Sequence, residues 1–148
     1  MRKITLIVLI LASLACCTYA SDITTIAVIP FTNISKKADI DWIGAGFAEA
    51  IATKLCATAG IQFVERAQLS QAIKELKLQS SGLVDSAKAK KLGKMAGAEY
   101  VIIGSYQKSG DKLRVDTRVV NVETATANKS AEVTGKMDDV FDMQVDLT

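Results

Sequence analysis

Histidine is absent from this 148-residue sequence. Its absence removes the side chain best suited to proton transfer near neutral pH, and the commonest metal ligand. Cysteine is scarce. Cys16 and Cys17 sit together near the start, and beyond them only Cys56 remains, so the body of the chain has no pair for an internal disulfide. Cys56 falls in an amphipathic helical stretch, with no histidine for a Cys–His pair and no ligand set for zinc. It is expected to be a small core residue. Phosphate-cradling glycine loops are missing as well. GAGF at residues 44–47 and GKMAGA at residues 93–98 hold paired glycines, but neither follows a strand and opens a helix with dinucleotide or Walker spacing. Gly44 and Gly46 instead fall inside a helix, where they are expected to let it approach a sheet closely. A single proline and nine glycines exclude low-complexity segments. No tandem repeat is visible. No cofactor and no metal are expected.

Long apolar runs are confined to the first twenty residues. Arg2 and Lys3 precede ITLIVLILASLA at residues 4–15, a run too short to span a bilayer but suited to a secretory leader. Thr18 and Ala20 place small side chains where a signal peptidase reads, so residues 1–20 are expected to be a signal peptide cut before Ser21, leaving residues 21–148 as one α/β domain. Lipidation at Cys17, with Leu14 and Ala15 upstream, or at Cys16 is the competing reading. The two stay open, and under the first both cysteines are discarded with the leader. An excess of one charge is also lacking. The chain carries 18 basic and 16 acidic residues, and the leader holds Arg2, Lys3 and no acid, so the remainder has 16 of each. Such a balance argues against a nucleic-acid partner.

Past the leader, the pattern reads as a folded domain. ITTIAVIPF at residues 23–31 is β-branched and continuous, the mark of a buried strand, which Pro30 is expected to end or to leave against an open side. Asp39 or Asp41 can cap a helix to Ala57 in which Trp42, Ile43, Phe47, Ile51 and Leu55 recur at helical spacing. Gly60 ends it. Residues 61–64 read as a second strand, and residues 67–78 as a helix with Leu69, Ile73 and Leu76 inward. Ser80, Ser81 and Gly82 break it. Asp85 or Ser86 caps a third helix with Ala89 and Leu92 inward, closed by Gly97. The period then changes from 3.6 to 2. Strands at residues 100–106, 113–119 and 127–135 are joined by turns at residues 109–111 and 121–126, and the middle one shows Arg114, Asp116 and Arg118 to water. Asp138 and Asp139 cap a brief last helix with Val140, Phe141 and Val145 as its expected apolar stripe. The expected fold is α/β. It has a single mixed sheet, elements in the order β-α-β-α-α-β-β-β with a short terminal helix, and helices packed on the sheet.

Few residues suggest chemistry. Glu65 and Arg66 stand side by side where a strand gives way to a helix. A carboxylate there can meet the free amides and positive end of the helix, and the guanidinium can brace a neighbour. An enzyme acting through Glu65 with Arg66 would need a second titratable group of matched role, and none lies nearby in the sequence. Both are expected to serve the strand-to-helix junction. Lys88, Lys90, Lys91 and Lys94 are spread around the outer side of the third helix, either as a solvated face or as a contact for an anionic surface or acidic partner. Trp42 is either a core plug or an exposed anchor.

The stretches IAVIPFTNIS, DWIGAGFAEAIATKL, VERAQL, LGKMAGAEYVIIGS and VDTRVVNVET together resemble the CsgG family of curli-secretion components, with its FlgO-type and TolB amino-terminal relatives. The resemblance runs over residues 26–142. It implies a mixed α/β domain that is not an enzyme and that works by docking onto envelope proteins or onto copies of itself, with association at the outer membrane. The sequence departs from it in having no pair of alternating apolar strands with room to span a membrane, so a pore is not implied. It also departs at Ala125, where relatives carry glycine after the threonine and where a left-handed backbone is unfavourable, so a wider turn is expected. The expected function is that of an exported docking component of a periplasmic or outer-membrane secretion or surface-structure system. The alternative is a regulatory module that activates a peptidoglycan synthase.

Overall fold

The structure, a computed structural model, describes residues 23–78 and 84–147. Six strands form one mixed sheet. In chain order these are β1 (Thr24–Val28), β2 (Thr32–Asn33), β3 (Ile61–Phe63), β4 (Tyr100–Ser109), β5 (Lys112–Asn121) and β6 (Ala127–Lys136). Four helices pack on it: α1 (Trp42–Cys56), α2 (Arg66–Glu75), α3 (Ser86–Ala96) and α4 (Val140–Asp146). The spatial order is β3-β1-β4-β5-β6, with β2 also on β4. β1 runs parallel to β3 and β4, as helical crossovers require, and β4, β5 and β6 form an antiparallel meander. The expected single mixed sheet is therefore present, with one strand more than the sequence pattern suggested.

That extra strand follows from Pro30. β1 stops at Val28, the chain steps past the exposed Pro30, and Thr32 and Asn33 rejoin the same neighbour beside Ser105 and Tyr106. β1 itself is buried on both faces, which explains its unbroken apolar sequence. Ile26 and Val28 point into one layer with Ile43, Phe47 and Ile51 of α1 and Val140 and Met143 of α4. Ala27 and Ile29 point into the other with Leu69 and Ala72 of α2 and Ala89 and Leu92 of α3. The molecule thus has three layers, with α1 and α4 on one side of the sheet and α2 and α3 on the other.

Close approaches fix the helices to the sheet. A Cβ on Gly44 would lie 2.2 Å from the Phe31 carbonyl oxygen, so only glycine lets α1 settle there. Phe31 N–H donates to the Gly44 carbonyl at 3.0 Å, and the Phe31 and Phe47 rings stack 5.9 Å apart. Gly46 faces α4 rather than the sheet, close to the Gln144 amide nitrogen. α3 ends as the sequence suggests: Gly97 is left-handed at φ 69°, and Ala98 N–H donates to the Gly93 carbonyl at 2.8 Å. α2 ends earlier than expected, at Glu75. A left-handed Lys77 and a Leu78 N–H bond to the Ile73 carbonyl close it in the same manner. Ser80, Ser81 and Gly82, expected to break that helix, lie outside the described residues.

Both meander turns have identifiable causes. The β4–β5 loop is Gly110 and Asp111, with Gly110 at φ 60°, matching the strand twist. In the β5–β6 turn, Asn121 accepts from the Glu123 and Thr124 amides at 2.9 and 3.0 Å through its side-chain oxygen. That local bonding, with an Ala125 N–H bond to the Asn121 carbonyl, holds Ala125 at φ 61°. Ala125 thus takes the left-handed conformation itself, although its side chain disfavours it.

Candidate partner-binding surface

The sheet separates residues that the sequence grouped as one interaction set. Trp42 opens α1 on one side. Lys88, Lys90, Lys91 and Lys94 lie on α3, on the other. Lys88, Lys91 and Lys94 are exposed, whereas Lys90 is half-buried and donates to the Glu123 carbonyl at 2.6 Å, tying α3 to the β5–β6 turn. The α3 cap is Asp85, whose carboxylate accepts from the Lys88 amide at 2.8 Å.

The Glu65–Arg66 pair does stand at the β3–α2 junction, but not by the expected bonds. Glu65 occupies the cap position, yet its carboxylate makes no cap hydrogen bond; its backbone carbonyl accepts from Leu69 N–H at 3.0 Å. Arg66 reaches across to Glu49 of α1 at 3.7 Å, with both side chains more than two-thirds exposed. An exposed pair of this kind contributes about 0–1 kcal/mol.

Asp41, also expected as a cap, makes no cap bond to α1. Its carboxylate accepts from the Asn33 amide nitrogen at 2.8 Å, which ties β2 to the helix start. Nearby, Tyr106 is buried and donates to the Ile40 carbonyl at 2.9 Å. Burial, assisted by the Asp41 carboxylate and opposed by a backbone bond at Gly44, pushes the Tyr106 hydroxyl up to about 12. Cys56, expected in the core, is exposed as the last residue of α1.

Of the grooves on the described surface, two are candidates for a partner. One lies over β4, β5 and β6 where α2 and α3 do not reach, a groove of about 480 Å³ lined by Ser105, Asp116, Arg118, Ser130 and Glu132. Its carboxylates are engaged from outside the groove: Arg114 pairs with Asp116 at 2.8 Å and with Glu132 at 2.9 Å. The other is a shallow groove between α1 and α4, lined by Trp42, Gly46, Ala50, Thr53, Phe141 and Gln144. It exposes half of Trp42 and 68% of Phe141, and Val145 of α4 is 60% exposed. The sequence pattern placed Phe141 and Val145 in the core. The structure buries Val140, Met143 and Leu147 instead and turns the other two to water. Cys16 and Cys17 lie outside the described residues.

Fold and surface define the class first: a three-layer α/β domain on a mixed sheet that presents exposed aromatic side chains on one outer helical face. The family follows from the sequence. Residues 15–125 match the family model described as the peptidoglycan-synthase activator LpoB, three quarters of the chain, and the chain belongs to that family. Solved structures agree in fold. The C-terminal domain of LpoB from Escherichia coli superposes with a TM-score of 0.60 at 18% identity, covering 86% of this chain and 93% of that one. The corresponding domain from Salmonella enterica gives 0.56 at 17%, covering 85% and 92%. The NMR structure of Escherichia coli LpoB gives 0.62 at 20%; it covers 77% of this chain, which spans 57% of that longer one. Among curated proteins, nothing matches.

These findings correct the resemblance drawn from the sequence. The matching family is LpoB, not CsgG, and the FlgO-type and TolB-like affinities and the secretion-component reading go with it. The reason is physical. Most residues of the stretches that carried the resemblance are packing constraints. Gly93 in LGKMAGAEYVIIGS lets α3 lie against Val101 and Val122, and Gly104 in the same stretch lies under the Phe31 ring. VDTRVVNVET is β5 and its turn. Such residues specify a sheet with helices on it and carry no mark of the partner.

Proposed function

We propose that this chain is an exported regulator that raises the turnover of a peptidoglycan synthase by binding it, and that it has no reactive centre of its own. The observation that carries this is the family match across residues 15–125. The shared fold with the LpoB domains and the absence of histidine support it. The partner is an envelope protein, the synthase. Residues 1–20 act as the export signal. The mature chain either begins at Ser21 or is held at the membrane surface by lipid on Cys16 or Cys17. The matched region begins at residue 15, so it takes in both cysteines. Mass spectrometry of the mature amino terminus distinguishes the two forms, an acylated cysteine from a free Ser21.

The functional test is direct. A purified peptidoglycan synthase is assayed with and without the chain. Faster peptidoglycan synthesis on addition is the expected result; an unchanged rate across a wide concentration range contradicts the proposal.

A further inference from the structure

We propose that the synthase docks on the face formed by α1 and α4, with Trp42 and Phe141 as its apolar anchors and the carboxylates of α4 as its rim; this rests on the activator reading above. Apolar side chains of this size are costly to hold in water side by side, and a patch of them with a polar surround marks a contact surface. Trp42 is the chain's only tryptophan, and it sits across one groove from Phe141. Tryptophan and other aromatics anchor interfaces because they bury much area at small entropic cost. The groove floor is made of small residues, Gly46 and Ala50, which leave room for an inserted side chain. The two helices are locked in place: Lys54 donates to the Val145 carbonyl at 2.9 Å, and Gly46 packs against Gln144. The surface is thus formed before any partner arrives.

Charge decides what covers it. Asp138, Asp139, Asp142 and Asp146 are all exposed on or just before α4, and no basic residue lies between Met137 and Leu147. Among the described residues, no ion pair engages any of the four. A second copy seated face to face would bring two net-acidic patches together, with Lys54 the one cation on the groove lining and Glu49 a further carboxylate, since an isologous contact pairs a patch with itself. Like-charge juxtaposition of that kind is strongly unfavourable. The complementary occupant has an apolar centre bordered by lysine or arginine, and that is the chemistry assigned to the docking surface of the synthase.

The test compares binding to a purified synthase, its stimulation and the melting curve for the full chain and its variants. Trp42→Ala and Phe141→Ala are each expected to weaken binding at least tenfold, and to lower stimulation in step, without shifting the melt. Asp142→Lys is expected to weaken binding severalfold and to flatten its dependence on salt. Lys91→Ala and Lys94→Ala, on the opposite layer, are expected to leave binding unchanged. Unaltered binding by both aromatic variants, when the parent chain binds and stimulates, overturns this surface and leaves the activator function standing. A parent chain that neither binds nor stimulates contradicts the function and the surface with it. A parent that is dimeric, and made monomeric by Trp42→Ala, assigns the face to a second copy and also overturns the proposal.

Discussion

Tyr106 shows how much one side chain can hold. It is the largest fully buried side chain among the described residues, and its hydroxyl satisfies the Ile40 carbonyl just ahead of α1. Tyr106→Phe leaves that buried acceptor unpaired and is expected to cost about 1–3 kcal/mol in denaturant unfolding. The hydroxyl's folded pKa of about 12 lies above its ordinary 10.0, so the folded state prefers the neutral phenol. Its contribution is complete below pH 10 and is lost as pH climbs from 10 to 12. Stability measured across that window is expected to fall more steeply for the parent than for Tyr106→Phe, and equal slopes would contradict this. Glu65 is the opposite case. With no cap bond and an exposed side chain, Glu65→Gln is expected to alter stability by less than about 0.5 kcal/mol. A larger loss would restore the capping role that the sequence suggested. Residue chemistry was readable where the backbone demands it, as at Gly97 and Gly44, and unreadable where a side chain chooses among partners. Asp41 could cap its own helix, but Asn33 lies within reach only after folding.

Among the elements, α4 carries the most informative correction. It spans only seven residues, and apolar side chains stand at 140, 141, 143, 145 and 147 on and just after it. Two turns of helix do not fix the phase of such a pattern, so the sequence alone could seat Phe141 or Met143 inward. The structure selects Val140, Met143 and Leu147, whose three- and four-residue steps keep one face toward β6 and α1. Met143→Ala is expected to destabilise by about 2–5 kcal/mol. Phe141→Ala, at 68% exposure, is expected to cost less than about 1 kcal/mol. Chemical denaturation of the two variants side by side checks the assignment, and reversed magnitudes would overturn it. Longer elements were legible because their patterns repeat. β1 reads as buried on both faces, β5 alternates, and α1 shows Ile43, Phe47 and Ile51 four residues apart. The two-residue β2 left no period to detect; only Pro30 marked where the strand path had to break.

For the whole molecule, a single mixed sheet with helices packed on it was open to sequence reasoning; which helices share a face, and the partner, were not. Strand order follows from connection lengths and handedness, which act on every chain with these elements. The partner depends on what remains exposed after packing. Among the described residues the exposed large apolar side chains include one tryptophan at a helix start and a phenylalanine that the pattern assigned to the core, beside Ile34, Met95 and Val145. Most residues of the motifs that invited the CsgG comparison lie in the packed interior and its turns, and they reported the architecture faithfully and misdirected the function; Trp42 and Glu65–Arg66, in the same stretches, are exposed. Family membership restores the alternative, a regulator whose effect is seen in another protein's turnover. The deciding measurement is a titration of a purified peptidoglycan synthase with this chain, following the initial rate of synthesis. The account predicts a rise that saturates with added chain and no product from the chain alone. A flat titration, or product formed without the synthase, would contradict it.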